Sequence, residues 1–136
     1  MKNLLSLIAF LFITNIAFGQ EKYKVTVKVM APGENFVAYL IDGDQNFPGP
    51  TPTSKLLKVK GDGTSATFEF EEVLTGTYAV FVFNDKNNNS SLDMNGQMPA
   101  EPFGYSKYIV MGPPMWEDCS FTVEEDVEIS VRLVTL

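Results

Sequence analysis

The chain has 136 residues, with 17 acidic against 10 basic side chains, no histidine and one cysteine. So acidic a surface disfavours nucleic acid and anionic membrane, both of which need basic patches. Without histidine the usual general base, the usual partner of a Ser or Cys nucleophile and the commonest transition-metal ligand are missing, which argues against an enzyme and against zinc, copper or haem.

The first segment reads as an address. Lys2 supplies a short positive region, Leu4 to Phe18 is apolar apart from Ser6, Thr14 and Asn15, and Ala17 and Gly19 are small residues at the −3 and −1 positions of a cleavage site. Residues 1–19 are therefore expected to be a cleaved secretory signal peptide, too short for a spanning helix, with residues 20–136 as the domain. Export to the periplasm or the exterior follows, with no membrane insertion after cleavage.

From there the period is two. Tyr23, Val25, Val27 and Val29 alternate with Lys22, Lys24, Thr26 and Lys28, which predicts a half-buried strand. Phe36 to Ile41 is apolar on both faces and predicts a central strand. Residues 43–54 carry Gly43, Pro48, Gly49, Pro50 and Pro52 and predict a loop. Lys55 to Lys60 and Ser65 to Glu71 predict two strands about the Gly61-Asp62-Gly63 turn. Tyr78 to Phe83 is continuously apolar and predicts another central strand. Residues 84–106 predict one long loop. Lys107 to Met111, Cys119 to Val123 and Val127 to Val134 predict three further strands. Cys119 shares the face of Phe121 and Val123 and reads as a small buried hydrophobe. No segment has a 3.6-residue period. The expected fold is all-β, a single antiparallel β-sandwich of seven or eight short strands, transthyretin-like or immunoglobulin-like.

Two stretches carry a resemblance. Phe68 through Leu74-Thr75-Gly76-Thr77-Tyr78-Ala79-Val80 is similar to the turn of transthyretin-like and carboxypeptidase-regulatory-like sandwich domains. Asn84-Asp85-Lys86-Asn87-Asn88-Asn89 through Leu92-Asp93, then Pro99-x-Glu101-Pro102-Phe103-Gly104-Tyr105-Ser106, then Gly112-Pro113-Pro114-x-Trp116-Glu117-Asp118, resembles DUF2141, a family of exported bacterial proteins of unknown function. The resemblance runs over roughly residues 22 to 134. It implies an exported β-sandwich and no established activity. The family pattern favours Gly where Ser90 stands.

One loop carries a chemical hypothesis. Asp85, Asn87, Asn89, Ser91 and Asp93 occupy positions 1, 3, 5, 7 and 9 of a possible calcium loop. Calcium takes six to eight hard oxygens, and alternate residues of a tightly wound loop bring theirs to one point. Position 6 is Ser90 instead of Gly, and position 12 is Gly96, so the bidentate Glu is missing and Asn95 or Glu101 would have to replace it. With two carboxylates a weak site is expected, with Kd on the order of 10⁻⁴ to 10⁻³ M. The competing reading is an Asn/Asp-rich loop held by its own backbone turns, without metal.

A second concentration is aromatic. Phe103, Tyr105 and Trp116 are either a ligand platform or the roof of the core. The adjacent carboxylates Glu71/Glu72, Glu117/Asp118 and Glu124/Glu125 point to opposite faces if on strands, and so make poor catalytic dyads. The sequence therefore predicts a non-enzymatic exported module with a calcium-ordered loop presenting a surface to an envelope protein or extracellular ligand. Its rivals are a metal-free structural or accessory envelope interaction domain and, more remotely, a hydrolase working with carboxylates alone.

Overall fold

A computed structural model describes residues 19–136. The signal peptide expected over residues 1–19 lies, but for Gly19, outside the described residues. Among these, no helix is long and apolar enough to cross a membrane.

The described residues run through ten strands and a single helical turn: β1 (Lys22–Met30), β2 (Asn35–Ile41), β3 (Lys55–Lys60), β4 (Ser65–Leu74), β5 (Gly76–Asn84), β6 (Met94–Asn95), β7 (Met98–Pro99), β8 (Phe103–Tyr105), α1 (Trp116–Cys119), β9 (Phe121–Val123) and β10 (Val127–Val131). One sheet has the order β10-β1-β4. The other has the order β3-β2-β5-β8, with β9 pairing the start of β5. The expected sandwich is there. Its pairings are antiparallel except β1 with β10, which is parallel.

Period two explains the interior. Val25, Val27 and Val29 of β1 face Phe36, Ala38 and Leu40 of β2, Phe68 and Phe70 of β4, and Val80 and Val82 of β5 in one core between the sheets. The intervening residues of β1 face water, where Lys24 reaches Glu71 at 3.9 Å and Lys28 reaches Glu128 at 3.3 Å.

The second sheet is buried on its far face too. Val37, Ile41, Ala79, Phe81, Phe83, Phe103, Tyr105 and Cys119 form a second core there, roofed by Phe47, Leu92, Tyr108, Val110, Trp116 and Val134 from the connecting segments. This is why β2 and β5 read as apolar on both faces: one side meets the other sheet and the other meets a layer of loops. Apolar burial on that scale is the main stabilising contribution.

The end of the chain stitches the sheets together. After pairing with β1, it exchanges backbone hydrogen bonds with β8, Phe103 N–H to Val134 O at 3.0 Å and Val134 N–H to Phe103 O at 2.8 Å. Gly104 sits under this crossing. A Cβ there would overlap the Arg132 carbonyl, whose carbon would lie 2.9 Å away.

Three expectations need correction. Lys107 to Met111 is not a strand: Lys107 stands at φ 62°, which turns the backbone out of extended geometry after β8, and only a bridge between Tyr105 and Tyr108 remains. Trp116–Cys119 is one helical turn, so the strand expected from Cys119 starts at Phe121. The long loop contains structure of its own, the β6–β7 hairpin turning through Gly96 at φ 66° and then β8.

Candidate functional site

Asn84, the last residue of β5, and Asp85 after it anchor the long loop. Asn84 donates its backbone N–H to Pro102 O at 2.9 Å and its side-chain Nδ2 to Pro32 O at 3.1 Å. Its carboxamide packs on Gly33, φ 147°, where a Cβ would collide with it. Asp85 donates its N–H to Asn35 O at 2.8 Å, which fastens the loop to the first residue of β2.

The Asp85 carboxylate is 1% exposed. Its Oδ1 accepts the N–H of Asn89 at 3.1 Å and its Oδ2 that of Ser90 at 2.7 Å. The loop therefore winds about this side chain, with Asn88 at φ 54° and Ser90 at φ 67° in the left-handed region. Ser90 adopts the left-handed backbone at the position where an EF-hand loop carries Gly, so the sharp turn forms without it. Its hydroxyl is also met by the Nζ of Lys58 from β3.

The polar side chains of the loop gather on Asp93. Nδ2 of Asn89 donates to Asp93 Oδ1 at 2.8 Å, and Nδ2 of Asn87 donates to Asp93 Oδ2. The carboxamide oxygens accept backbone bonds two residues on, Asn89 N–H to Asn87 Oδ1 at 3.3 Å and Ser91 N–H to Asn89 Oδ1 at 3.0 Å. These are Asx turns. So the side chains of Asn87, Asn89 and Asp93 are brought together, the Asp85 carboxylate meets the loop through the N–H groups of Asn89 and Ser90, and Ser91 contributes a main-chain N–H.

Glu101 is the residue that sequence reasoning placed least well. It is 4% exposed, and it clamps the two ends of the loop: Oε1 accepts Lys86 N–H at 3.0 Å and Oε2 accepts Asp93 N–H at 3.1 Å. Asn95, the other residue considered for closing the loop, is exposed on β6. Neither Asp85 nor Glu101 takes part in an ion pair among the described residues, where the pairs are Lys22–Glu72, Lys24–Glu71 and Lys28–Glu128. No group of three or more His, Cys, Asp or Glu side chains gathers as a metal cluster among the described residues.

The sequence profile of a family described as "Uncharacterized protein conserved in bacteria (DUF2141)" matches residues 25–130, from β1 into β10 and across the whole loop. The chain belongs to this family. No curated protein and no solved structure matches it.

The aromatic residues of this DUF2141 chain lie elsewhere than on an open platform. Phe103 and Tyr105 are buried and stack about Phe81, with the Phe81 and Tyr105 rings 4.9 Å apart. Trp116 is half-buried, edge-on to Phe47 at 5.5 Å. The three share the far-face core because that face of β5 needs cover. Burial also pushes the Tyr105 hydroxyl up to about 12 and the Cys119 thiol up to about 11, the latter helped by Asp118, so Cys119 is a protonated core residue. Glu117, Asp118, Glu124 and Glu125 are exposed, as a solvated acidic rim should be. Ser106 went unnoticed in the sequence. It is fully buried, accepts Val80 N–H at 2.8 Å and donates to Cys119 O at 2.7 Å, tying α1 to β5.

Proposed function

We propose that this protein is an exported, non-enzymatic β-sandwich module whose Asp85–Asp93 loop takes a calcium ion and so stiffens one end of the sandwich as a binding surface for an envelope protein or extracellular ligand. One observation carries the reading. Two buried carboxylates, Asp85 and Glu101, are held by backbone N–H groups alone, with no cationic side chain in an ion pair with either among the described residues. Buried charge is ordinarily paired with opposite charge or bound to metal. Asn89 is tied to Asp85 and Asp93 to Glu101 through their backbone N–H groups, and the Asn87 and Asn89 carboxamides gather on the Asp93 carboxylate. Rotation of the two carboxamides about their terminal torsions exchanges Nδ2 for Oδ1 toward the ion. A wholly oxygen donor set suits calcium and no soft metal. Export is supported by the leader-like pattern of residues 1–19, and a non-enzymatic role by the absence of histidine.

Titration calorimetry on chelator-treated protein tests the loop. Calcium should bind one site with Kd on the order of 10⁻⁴ to 10⁻³ M. Asp93→Asn, on the outer side of the loop, should remove the binding while leaving the fold. Absence of heat at millimolar calcium, or equal binding by Asp93→Asn, contradicts the reading. Export is checked by N-terminal sequencing of the mature protein, which should begin at Gln20.

A second reading is favoured by the amide bonds themselves. The Nδ2 groups of Asn87 and Asn89 already satisfy the Asp93 carboxylate, so the loop can hold itself and serve a metal-free accessory domain. The same titration separates the two.

A further inference from the structure

Asn95 is the one asparagine of the chain that is followed by glycine. The pair sits at the tip of the β6–β7 hairpin. Asn95 pairs with Met98, so Gly96 and Gln97 are the two turn residues. Gly96 stands at φ 66° and Gln97 is outside the left-handed region, the pattern of a type II′ turn. The Gly96 N–H makes no hydrogen bond among the described residues. The Asn95 carboxamide is exposed and makes none among them either.

These are the conditions for a reaction within the chain. The carboxamide carbon of Asn95 and the nitrogen of Gly96 are joined through Cβ, Cα and the main-chain carbonyl carbon, so attack closes a five-membered ring with no loss of translational freedom. Glycine has no Cβ to crowd the attacking nitrogen. Closure needs the Asn95 backbone to leave its extended conformation. The hairpin permits this, because it consists of two pairs and a two-stranded hairpin by itself is marginally stable at best. Met94, Asn95 and Met98 are exposed, so little apolar surface holds it shut.

The other candidates are held. In the neighbouring loop the nitrogens that follow Asn87, Asn88 and Asn89 all donate to Asp85: Asn88 N–H to its main-chain oxygen at 3.2 Å, Asn89 N–H to Oδ1 at 3.1 Å and Ser90 N–H to Oδ2 at 2.7 Å. The nitrogen after Asn84 donates to Asn35 O at 2.8 Å. Two aspartates also precede glycine. Asp42 receives the hydroxyls of Thr51 and Thr53, and Asp62 accepts the N–H groups of Thr64 and Ser65. An ionised carboxylate so bonded is a poor target for a nucleophile.

We propose that Asn95 is a self-modification site, at which the Gly96 nitrogen attacks the Asn95 carboxamide carbon, ammonia leaves, and water opens the succinimide to an aspartyl or isoaspartyl residue. The bond from the side-chain carbon to Nδ2 breaks, and the Gly96 amide proton leaves with the ammonia. Water that cleaves the ring nitrogen from the side-chain carbonyl carbon restores the main chain as aspartate. Cleavage from the main-chain carbonyl carbon routes the chain through Cβ as isoaspartate. Either product adds one negative charge two residues from Asp93. The isoaspartyl form also adds a methylene to the main chain, which takes residue 95 out of register with Met98. The hairpin joins the two ends of the Glu101 clamp, where Asp93 O accepts Ala100 N–H at 2.8 Å, so the conversion marks aged protein at the edge of the loop. This inference does not rest on calcium.

It is tested on the folded mature protein in chelator, held at neutral and at mildly alkaline pH, then digested with an acid protease and mapped by mass, with an isoaspartyl-specific methyltransferase reading that product. The peptide containing Asn95 should exchange its amide for a carboxyl group, with isoaspartate formed there. The rate should rise in proportion to hydroxide, since the Gly96 amide must lose its proton. Asn87, Asn88 and Asn89 should convert at least about tenfold more slowly, and so should the side chain in Asn95→Gln, which keeps an exposed amide but needs a six-membered ring. No conversion over weeks at physiological temperature, aspartate without isoaspartate, a rate at Asn88 equal to that at Asn95, or an equal rate in Asn95→Gln would each overturn the proposal.

Discussion

Asp62 and Asp85 each hold a turn by accepting two backbone N–H groups, in opposite surroundings. Asp62 Oδ1 accepts the N–H of Thr64 at 2.9 Å and of Ser65 at 2.7 Å, and both hydroxyls also donate to its carboxylate. Asp85 accepts the N–H of Asn89 on Oδ1 and of Ser90 on Oδ2. Asp62 stands in water, and those bonds hold its carboxyl down at about 2. Asp85 is buried, with the second buried carboxylate, Glu101, clamping the ends of its loop. The contrast teaches that one local staple is complete at the surface and short of positive charge in the interior. The proposed calcium ion supplies that charge.

Removing the buried staple should have the largest effect. Asp85→Ala strands two buried N–H groups and leaves a gap, at a cost of roughly 2–5 kcal/mol in chemical denaturation. A loss no greater than that of Asp62→Ala would break the comparison. Ser106→Ala comes next as a neutral buried staple. It strands Val80 N–H and Cys119 C=O at roughly 1–3 kcal/mol, and the loss should be the same with and without calcium. Calcium-dependence there would mean that the loop and α1 are coupled.

The smallest effect belongs to Asp62, and it appears in acid. Its folded pKa lies below the ordinary 3.8, so its contribution is full above that value and is lost as pH falls toward about 2. Asp62→Asn should lower stability slightly at neutral pH, flatten the profile in that window and leave variant and parent nearly equal once the pH is at or below about 2. An unaltered acid limb would show that the turn does not depend on this carboxylate.

Sequence pattern was informative where one rule governs. β1 through β5 emerge within a few residues of their bounds because alternation and double-faced burial leave direct marks. The direction of β10 beside β1 has no such mark, since period two is the same for parallel and antiparallel pairs. Four residues of α1 are too few to show a 3.6 period. Lys107 ends β8 through a backbone angle that its side chain does not advertise. The β6–β7 hairpin did have a signal, the Asn95-Gly96 pair. In the loop, spacing marked Asn87, Asn89 and Asp93, whose side chains do meet, while Asp85 meets the loop's main chain. The clamp role of Glu101 and the contact of Lys58 with Ser90 were not legible, because each depends on segments distant in the chain.

The most direct measurement is thermal unfolding of the mature protein in chelator and in millimolar calcium, with Asp93→Asn beside it. A ligand of the folded state at tenfold excess over its Kd stabilises by about 1.4 kcal/mol, a rise of several degrees in Tm for a domain of this size. The account predicts that rise for the parent and its loss in Asp93→Asn. The same Tm with and without calcium would contradict it and leave a loop held by its own hydrogen bonds.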